Sequence, residues 1–419
     1  MRKILIYADF DWLDTPLLVG ELGYESLRGS DSYSFAFAPE WLSKHGNLFL
    51  SADLNNYPGL QYTQPNRDIF GCFGDALPDR WGRLLLNRRE QLQASNEQRP
   101  ARRLSSFDYL MGIDDFSRMG GFRFKNASNC EFINSDPRLR IPPLADIKTL
   151  VAASMAIERS EVHNQLPEQQ WLQQLIHPGT SLGGARPKAS VIDTAGRLCI
   201  AKFPSLTDSH DVALWEHHSH LLAALSGVDV AATNVLNTGN KHHTLLSQRF
   251  DRDAQGRRRH FASALTLLGL TDGCNAQTGN GYLDMVDFII QNCCNVEYNL
   301  RQLYRRVAFN IAIGNSDDHF RNHGFALTSR GWTLSPAYDL NPTLNKHQTL
   351  LINGTTNQAD IGILLNSASD YLIEKEEARQ IIAEVSQGVQ QWKPVATRLG
   401  IAKREIETFE HIYKRIEKA

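Results

Sequence analysis

The 419-residue chain is predicted to be an α+β protein. Three observations carry that expectation: period-two apolar alternation over the first forty residues, helical apolar spacing over most of the last third, and two hairpin-like stretches, one near the middle and one late in the chain. The apolar share of 42% and charged share of 21% are ordinary for a globular protein, and the formal net charge of -2 supplies no drive toward nucleic acid or a membrane surface. Six scattered cysteines without a CxxC pair fit reduced thiols. No apolar run suits a signal h-region or a transmembrane helix, so a cytoplasmic chain is expected.

Each element follows from local pattern. "KILIYADF", "PLLVGELGYES" and "YSFAFAPEWL" read as strands of a small N-terminal sheet. From "GCFGDALPDRWGRLLLNRREQL" to about Leu110 the spacing turns helical, and Pro78 suits a first turn. Asn126 to Leu144 is rich in Asn, Ser and Pro and marks a boundary, which gives an N-terminal module over 1–140. Ala145 to Leu175 reads as helical, and "SVIDTAGRLCIAKFPS" reads as a hairpin turning at "DTAGR". "ALWEHHSHLLAALSG" fits a helix and "HTLLSQRF" a strand, completing a second span over 141–250. The third span, 251–419, reads as helix apart from the hairpin-like "GFALTSRGWTLSPAYD".

The chemistry concentrates in four places. "GTSLGGARPKASVI" is a glycine-rich turn feeding a strand, where Gly183, Gly184 and Ala185 let backbone N–H groups approach an anion and Arg186 and Lys188 add positive charge. Lys202 follows on the next strand, and Glu216 lies on the helix after it, where the two could pair. "NSDDHFRN" then places Asp317 and Asn322 five apart, the spacing of a kinase catalytic base and its metal-binding asparagine. Asp339 ends the second hairpin in "SPAYDLNP" and offers a second hard oxygen ligand for Mg²⁺. That order matches a phosphotransferase. The histidine groupings at His319 and His323, and at His217, His218 and His220, make Zn²⁺ a weaker reading, and His319 is expected instead to buttress the catalytic loop by a hydrogen bond. The basic run "GRRRH" is expected to be a solvated turn.

Taken together, "VGEL", "YSFAFAPEWL", "DALPD", "SLGGARPK", "IAKFP", "LSQRFDR", "NSDDHFRN" and "PAYDLNP" resemble the HipA family, the serine/threonine kinase toxins of bacterial toxin-antitoxin modules. The resemblance implies a two-lobed kinase-like core of the HipA and phosphoinositide-kinase type, with a β-rich N-lobe, an all-helical C-lobe and an N-terminal sheet-containing subdomain. It implies ATP between the lobes, with adenine on backbone groups of Gln248, Arg249 and Phe250, phosphates on Lys202, Asp317 as base, and Mg²⁺ on Asn322 and Asp339. It also implies autophosphorylation at Ser181, with Thr180 as the neighbouring alternative, and this would eject the glycine loop because two added negative charges repel bound ATP. The implied partners are a HipB-like helix-turn-helix antitoxin, DNA through that antitoxin alone, and a protein substrate such as an aminoacyl-tRNA synthetase. A small-molecule kinase and a non-catalytic scaffold are the alternatives. Pro187 in the glycine loop, and Asn315-Ser316 where kinases carry His-Arg, depart from the usual kinase pattern and bear on substrate choice and regulation.

Overall fold

The alternating N-terminal residues form β1 (Arg2–Ala8), β2 (Leu17–Leu27) and β3 (Ser30–Phe37). In the computed structural model, which describes residues 1–27, 30–64, 67–126, 131–136, 141–176, 184–343 and 345–413, these three strands pair as an antiparallel meander. Ile4 faces Leu22 and Leu22 faces Phe35, which puts all three on one buried face of the sheet. "YSFAFAPEWL" is strand only to Phe37. Pro39 opens α1 (Pro39–His45) because a residue without an N–H loses nothing in a first helical turn. Strand β4 (Leu60–Tyr62) precedes α2 (Gly71–Gly74), α3 (Arg80–Asn96) and α4 (Ser106–Gly112), and β5 (Phe122–Lys125) completes the sheet in the order β4-β3-β2-β1-β5.

The helical region expected over Ala145 to Leu175 is present as two helices, α5 (Ile147–Val162) and α6 (Gln169–Ile176). Asn164 breaks it with a φ of 51°, and Pro167 follows. The predicted hairpin is present as β6 (Lys188–Ile192) and β7 (Leu198–Lys202), with Val191 opposite Cys199. After α7 (Val212–Leu225) come β8 (Thr233–Leu236), β9 (Thr244–Gln248) and β10 (His260–Ser263), and the second sheet has the order β6-β7-β9-β8. The stretch after Arg259 therefore begins with a strand rather than a helix. Ser263 ends that strand and caps α8 (Ala264–Leu267) by accepting from the Thr266 amide.

The chain divides into two units, Met1–Asp208 with Leu236–Phe261, and Ser209–Val235 with Ala262–Ala419. This division cuts across the spans 1–140, 141–250 and 251–419, because residues 209–235 go with the second unit and 251–261 with the first, and a shared core joins most of the first two spans. Trp81 and Leu85 of α3 pack in one buried cluster with Leu150 of α5, Leu175 of α6, Val191 of β6 and Ala201 of β7. No apolar boundary separates the first two spans. An ion pair reinforces the junction: Lys188 Nζ lies 2.9 Å from Asp79 Oδ2, with the two side chains 2% and 4% exposed. Asp79 is also the N-cap of α3, accepting from the Gly82 amide at 2.6 Å, and Trp81 Nε1 donates to the Lys188 carbonyl at 3.1 Å. "DALPD" and "GGARPK" thus meet in a single contact.

In the second unit the organising element is α10 (Val296–Ile313), which follows α9 (Tyr282–Asn292). Leu300, Leu303, Tyr304 and Val307 recur at helical spacing and are buried. The second predicted hairpin is β11 (Gly324–Thr328) and β12 (Gly331–Leu334), with Phe325 opposite Leu334. It is fastened to α10 by Asn299, whose Oδ1 accepts from the Leu334 amide at 2.8 Å, and by Arg306, which donates to the Ser335 carbonyl at 2.7 Å. Helices α11 (Ile361–Asn366), α12 (Lys375–Val389), α13 (Trp392–Arg398) and α14 (Lys403–Tyr413) complete the unit. Helix α10 stops at Gly314, whose φ of 68° is left-handed. A Cβ there would lie 2.8 Å from Ile412 Cγ2 and 3.0 Å from the Thr343 carbonyl oxygen.

Two outcomes are expected. Lys188→Met leaves a buried carboxylate unpaired and lowers stability by about 3–5 kcal/mol, and adding Asp79→Asn recovers most of the loss; urea-unfolding midpoints of the two variants check this. Gly314→Ala costs at least about 1–2 kcal/mol from the left-handed backbone alone, read as a fall in thermal midpoint.

Candidate functional site

The turn after Gly314 carries Asn315, Ser316, Asp317, Asp318 and His319, and nearly every backbone corner in it is tied down. The Thr343 amide and hydroxyl donate to the Gly314 carbonyl at 3.0 and 2.8 Å. Thr349 Oγ1 donates to the Ser316 carbonyl at 2.7 Å, and the Asn315 amide donates to the Asn310 carbonyl at 2.9 Å. The centre of the turn is Asp318, 2% exposed. One of its oxygens accepts from Tyr282 Oη at 2.5 Å and from Asn310 Nδ2 at 2.6 Å, while the other lies 2.8 Å from His323 Nε2. Burial opposes its charge, but His323, Tyr282 and the nearby Arg306 guanidinium outweigh this and hold the carboxyl below the ordinary aspartate range.

Asp317 points the other way and is exposed. Partial desolvation raises its pKa; His319 works against the rise, and the carboxylates of Asp339 and Asp318 add to it. Asp339 is therefore close enough to act on Asp317 through its charge. Asn322 joins them from the far end of the loop, donating from Nδ2 to the Asp317 carbonyl at 2.8 Å, while its amide donates to the His319 carbonyl at 2.8 Å. Tyr338 Oη donates to the Arg321 carbonyl at 2.7 Å and so ties the segment before Asp339 to the same loop. Asp339 adopts a left-handed φ of 58°, a conformation uncommon for any residue but glycine, and Asn341 Nδ2 reaches its Oδ1 at 3.3 Å. Asp317, His319, Asn322 and Asp339 are thus brought together in the second unit.

The remaining predicted residues are placed as follows. Gly184 has a φ of 100°, a conformation that suits glycine alone, and Ala185 is exposed. Arg186 forms a two-toothed pair with Asp208 at 2.9 and 2.6 Å, and Lys188 is the buried partner of Asp79, so both cations expected near phosphate are engaged by carboxylates. Lys202, at the end of β7, stands opposite Lys188 in register and opposite Leu245 of β9. Gln248 ends β9, Arg249 is 3% exposed, and the Phe250 ring lies 5.7 Å from that of Phe261. Glu216 is buried in α7, 3.9 Å from His220. Thr180, Ser181 and Gly183 lie outside the described residues.

Three expectations change. The histidine set against the loop's buried carboxylate is His323, at an ion-pair distance of 2.8 Å from Asp318, and His319 Nδ1 is buried without a hydrogen-bond partner among the described residues. The run "GRRRH" is not a solvated turn throughout, because Arg258 is buried against Asp115 and Arg259 pairs with Asp11 at 3.1 Å. The helix-borne histidines are committed to structure: His217 Nδ1 to Thr233 Oγ1 at 2.8 Å, His218 Nε2 to the Trp392 carbonyl at 2.8 Å, and His220 Nδ1 to the Ala231 carbonyl at 2.9 Å. Among the described residues no group of three or more His, Cys, Asp or Glu side chains is arranged to hold a metal ion. No described helix is long and apolar enough to cross a membrane.

The HipA-like C-terminal domain matches residues 180–392, just over half of the chain. The serine/threonine-protein kinase toxin HipA of Shewanella oneidensis is 26% identical over 216 residues, which are 45% of this chain. That match spans only about half of the relative, 48% of its length. A putative kinase of Sinorhizobium fredii is 24% identical over 332 residues, 74% of this chain and 72% of its own. Among solved structures, HipA of Shewanella oneidensis, in complex with HipB and its operator DNA, matches with a TM-score of 0.66 at 16% identity, covering 98% of this chain and 95% of that one. The α+β architecture is therefore the HipA kinase-like fold, and the chain belongs to the HipA family.

Proposed function

We propose that this chain is an ATP- and Mg²⁺-dependent protein serine/threonine kinase acting as the toxin of a toxin-antitoxin pair in the cytoplasm. The observation that carries the reading is the gathering of Asp317, Asn322 and Asp339 on one rigid loop system, with the spacing and residue types that phosphoryl transfer uses. The donor set fits a hard divalent cation. The Asp339 carboxylate helps raise the proton affinity of Asp317, and Asn322 spends its amide nitrogen on the loop, leaving the amide oxygen to face a metal. Asn322 and Asp339 would hold Mg²⁺, which supplies charge neutralisation for the transferring phosphoryl group.

In this reading Asp317 accepts the proton of the attacking serine or threonine hydroxyl. Its raised pKa makes it a better base than an ordinary aspartate. Lys202 neutralises nucleotide phosphates, and Gln248 to Phe250 present backbone groups to the adenine. Arg186 and Lys188 are engaged by Asp208 and Asp79 rather than by phosphate. Ser181, or Thr180 beside it, is the proposed autophosphorylation site. The HipB complex of the Shewanella relative supports a helix-turn-helix antitoxin as partner, with DNA reached through it, and an aminoacyl-tRNA synthetase is the proposed substrate class.

Asp317→Asn should keep nucleotide affinity within about twofold while lowering phosphate transfer by about 10²-fold or more. Calorimetric titration with Mg·ATP and radiolabel transfer in cell lysate check the two halves separately. Mass spectrometry of wild-type chain incubated with Mg·ATP should place phosphate on residue 180 or 181 and on a lysate protein, and chelation of Mg²⁺ should abolish both. An unmodified chain beside a phosphorylated metabolite would point to a small-molecule kinase instead.

A further inference from the structure

The tract "SQRFDRDAQGRRRH" carries arginines whose side chains phosphoryl transfer does not use, and in the first unit Arg249, Arg252 and Arg258 turn inward. Arg249 donates to both oxygens of Asp251 at 2.8 and 2.6 Å, to the Ser117 carbonyl at 2.5 Å and to the Arg118 carbonyl at 3.1 Å. Arg252 donates to Asp251 Oδ2 at 2.6 Å, to the Arg118 carbonyl at 2.9 Å and to the Phe116 carbonyl at 3.0 Å. Asp251 accepts a further bond from the Gly120 amide at 2.9 Å. The Arg249 and Asp251 side chains are each 1% exposed and that of Arg252 6%. Charges this deeply buried are tolerated only with such complete pairing.

These bonds converge on one short loop, residues 114–120, which leads into β5 of the N-terminal sheet. The loop is itself braced: Asp115 pairs with Arg123 at 2.6 Å and with Arg258 at 3.3 Å, and Asp114 accepts from the Ser117 amide at 2.9 Å. Immediately before the clamp, β9 pairs with β7, Leu245 opposite Lys202 and Gln248 opposite Cys199, and the Arg249 amide donates to the Leu198 carbonyl at 3.0 Å. Residues 248–250 are therefore held from two sides, by the strand that carries Lys202 and by the loop of the N-terminal module.

We infer that Arg249, Asp251 and Arg252 are positioning residues that set nucleotide affinity by fixing the edge formed by residues 248–250 against the loop 114–120, so that the N-terminal module is a working part of the nucleotide site. The inference rests on the kinase reading above and on the adenine lying along that edge. Carbonyl and amide groups that must meet a flat base tolerate little displacement, and an arginine fork reaching two carbonyls fixes position in a way that a lysine cannot.

Arg252→Lys and Arg249→Lys, each keeping its positive charge, should raise the KM for ATP about tenfold while kcat stays within about twofold. Ile157→Ala, a cavity in the buried core of the same unit, serves as the control for general destabilisation: its thermal midpoint should fall while its KM stays unchanged. Folded lysine variants with wild-type KM would overturn the inference and leave the kinase reading standing. A wild-type chain that neither binds nor turns over ATP would overturn the kinase reading itself. Should the lysine variants not fold, hydrogen exchange on wild type decides. Saturating Mg·ATP should slow exchange of amides in both 114–120 and 248–250, and slowing confined to 248–250 would overturn the coupling.

Discussion

A single buried carboxylate underlies the geometry of the candidate site. Asp318 accepts from Tyr282 at the start of α9 and Asn310 near the end of α10 and pairs with His323 just before β11, and the loop between Gly314 and Asn322 takes its shape around that point. An isolated charge in that position would be expensive by many kcal/mol, so its presence requires that Tyr282, Asn310, His323 and Arg306 all be in place together. The exposed neighbour, Asp317, inherits its direction from this arrangement. Chemistry at the surface thus depends on a polar cluster that never meets solvent.

The first unit uses charge differently. Its pair of Lys188 and Asp79 sits beside an apolar core that α3 and β6 share, and the cluster around Asp251 ties the end of β9 to the loop 114–120. Breaking one partner of such a pair costs more than the pair ever contributed, because the remaining charge stays in a medium that solvates it poorly. These contacts specify which surfaces meet more than they add stability. That accounts for basic residues in the glycine turn and after β9 whose side chains bind carboxylates and carbonyls.

What could be read from the sequence follows from the range of the forces involved. Strand alternation in β1 to β3, the turn between β6 and β7, and the hairpin of β11 and β12 are local, and period and turn residues reveal them. The spacing of Asp317 and Asn322 was equally visible because both sit on one loop. Hidden were the contacts made only by folding: Tyr282 to Asp318, thirty-six residues apart, and Asp79 to Lys188, one hundred and nine apart. A lysine in a glycine turn looks the same in sequence whether it meets a phosphate or a carboxylate. Short strands such as β10 were missed because three or four residues carry too little period to outweigh a helical neighbourhood.

The left-handed backbone at Asp339 narrows what evolution can place there. Aspartate and asparagine enter that conformation at modest cost and glycine at none, whereas glutamate, with the same charge and a longer reach, has no short side chain with which to compensate for it. Among acidic residues the backbone alone therefore selects the shorter one. A lineage that lost this carboxylate would drift most readily to asparagine or glycine, keeping the turn and surrendering the charge.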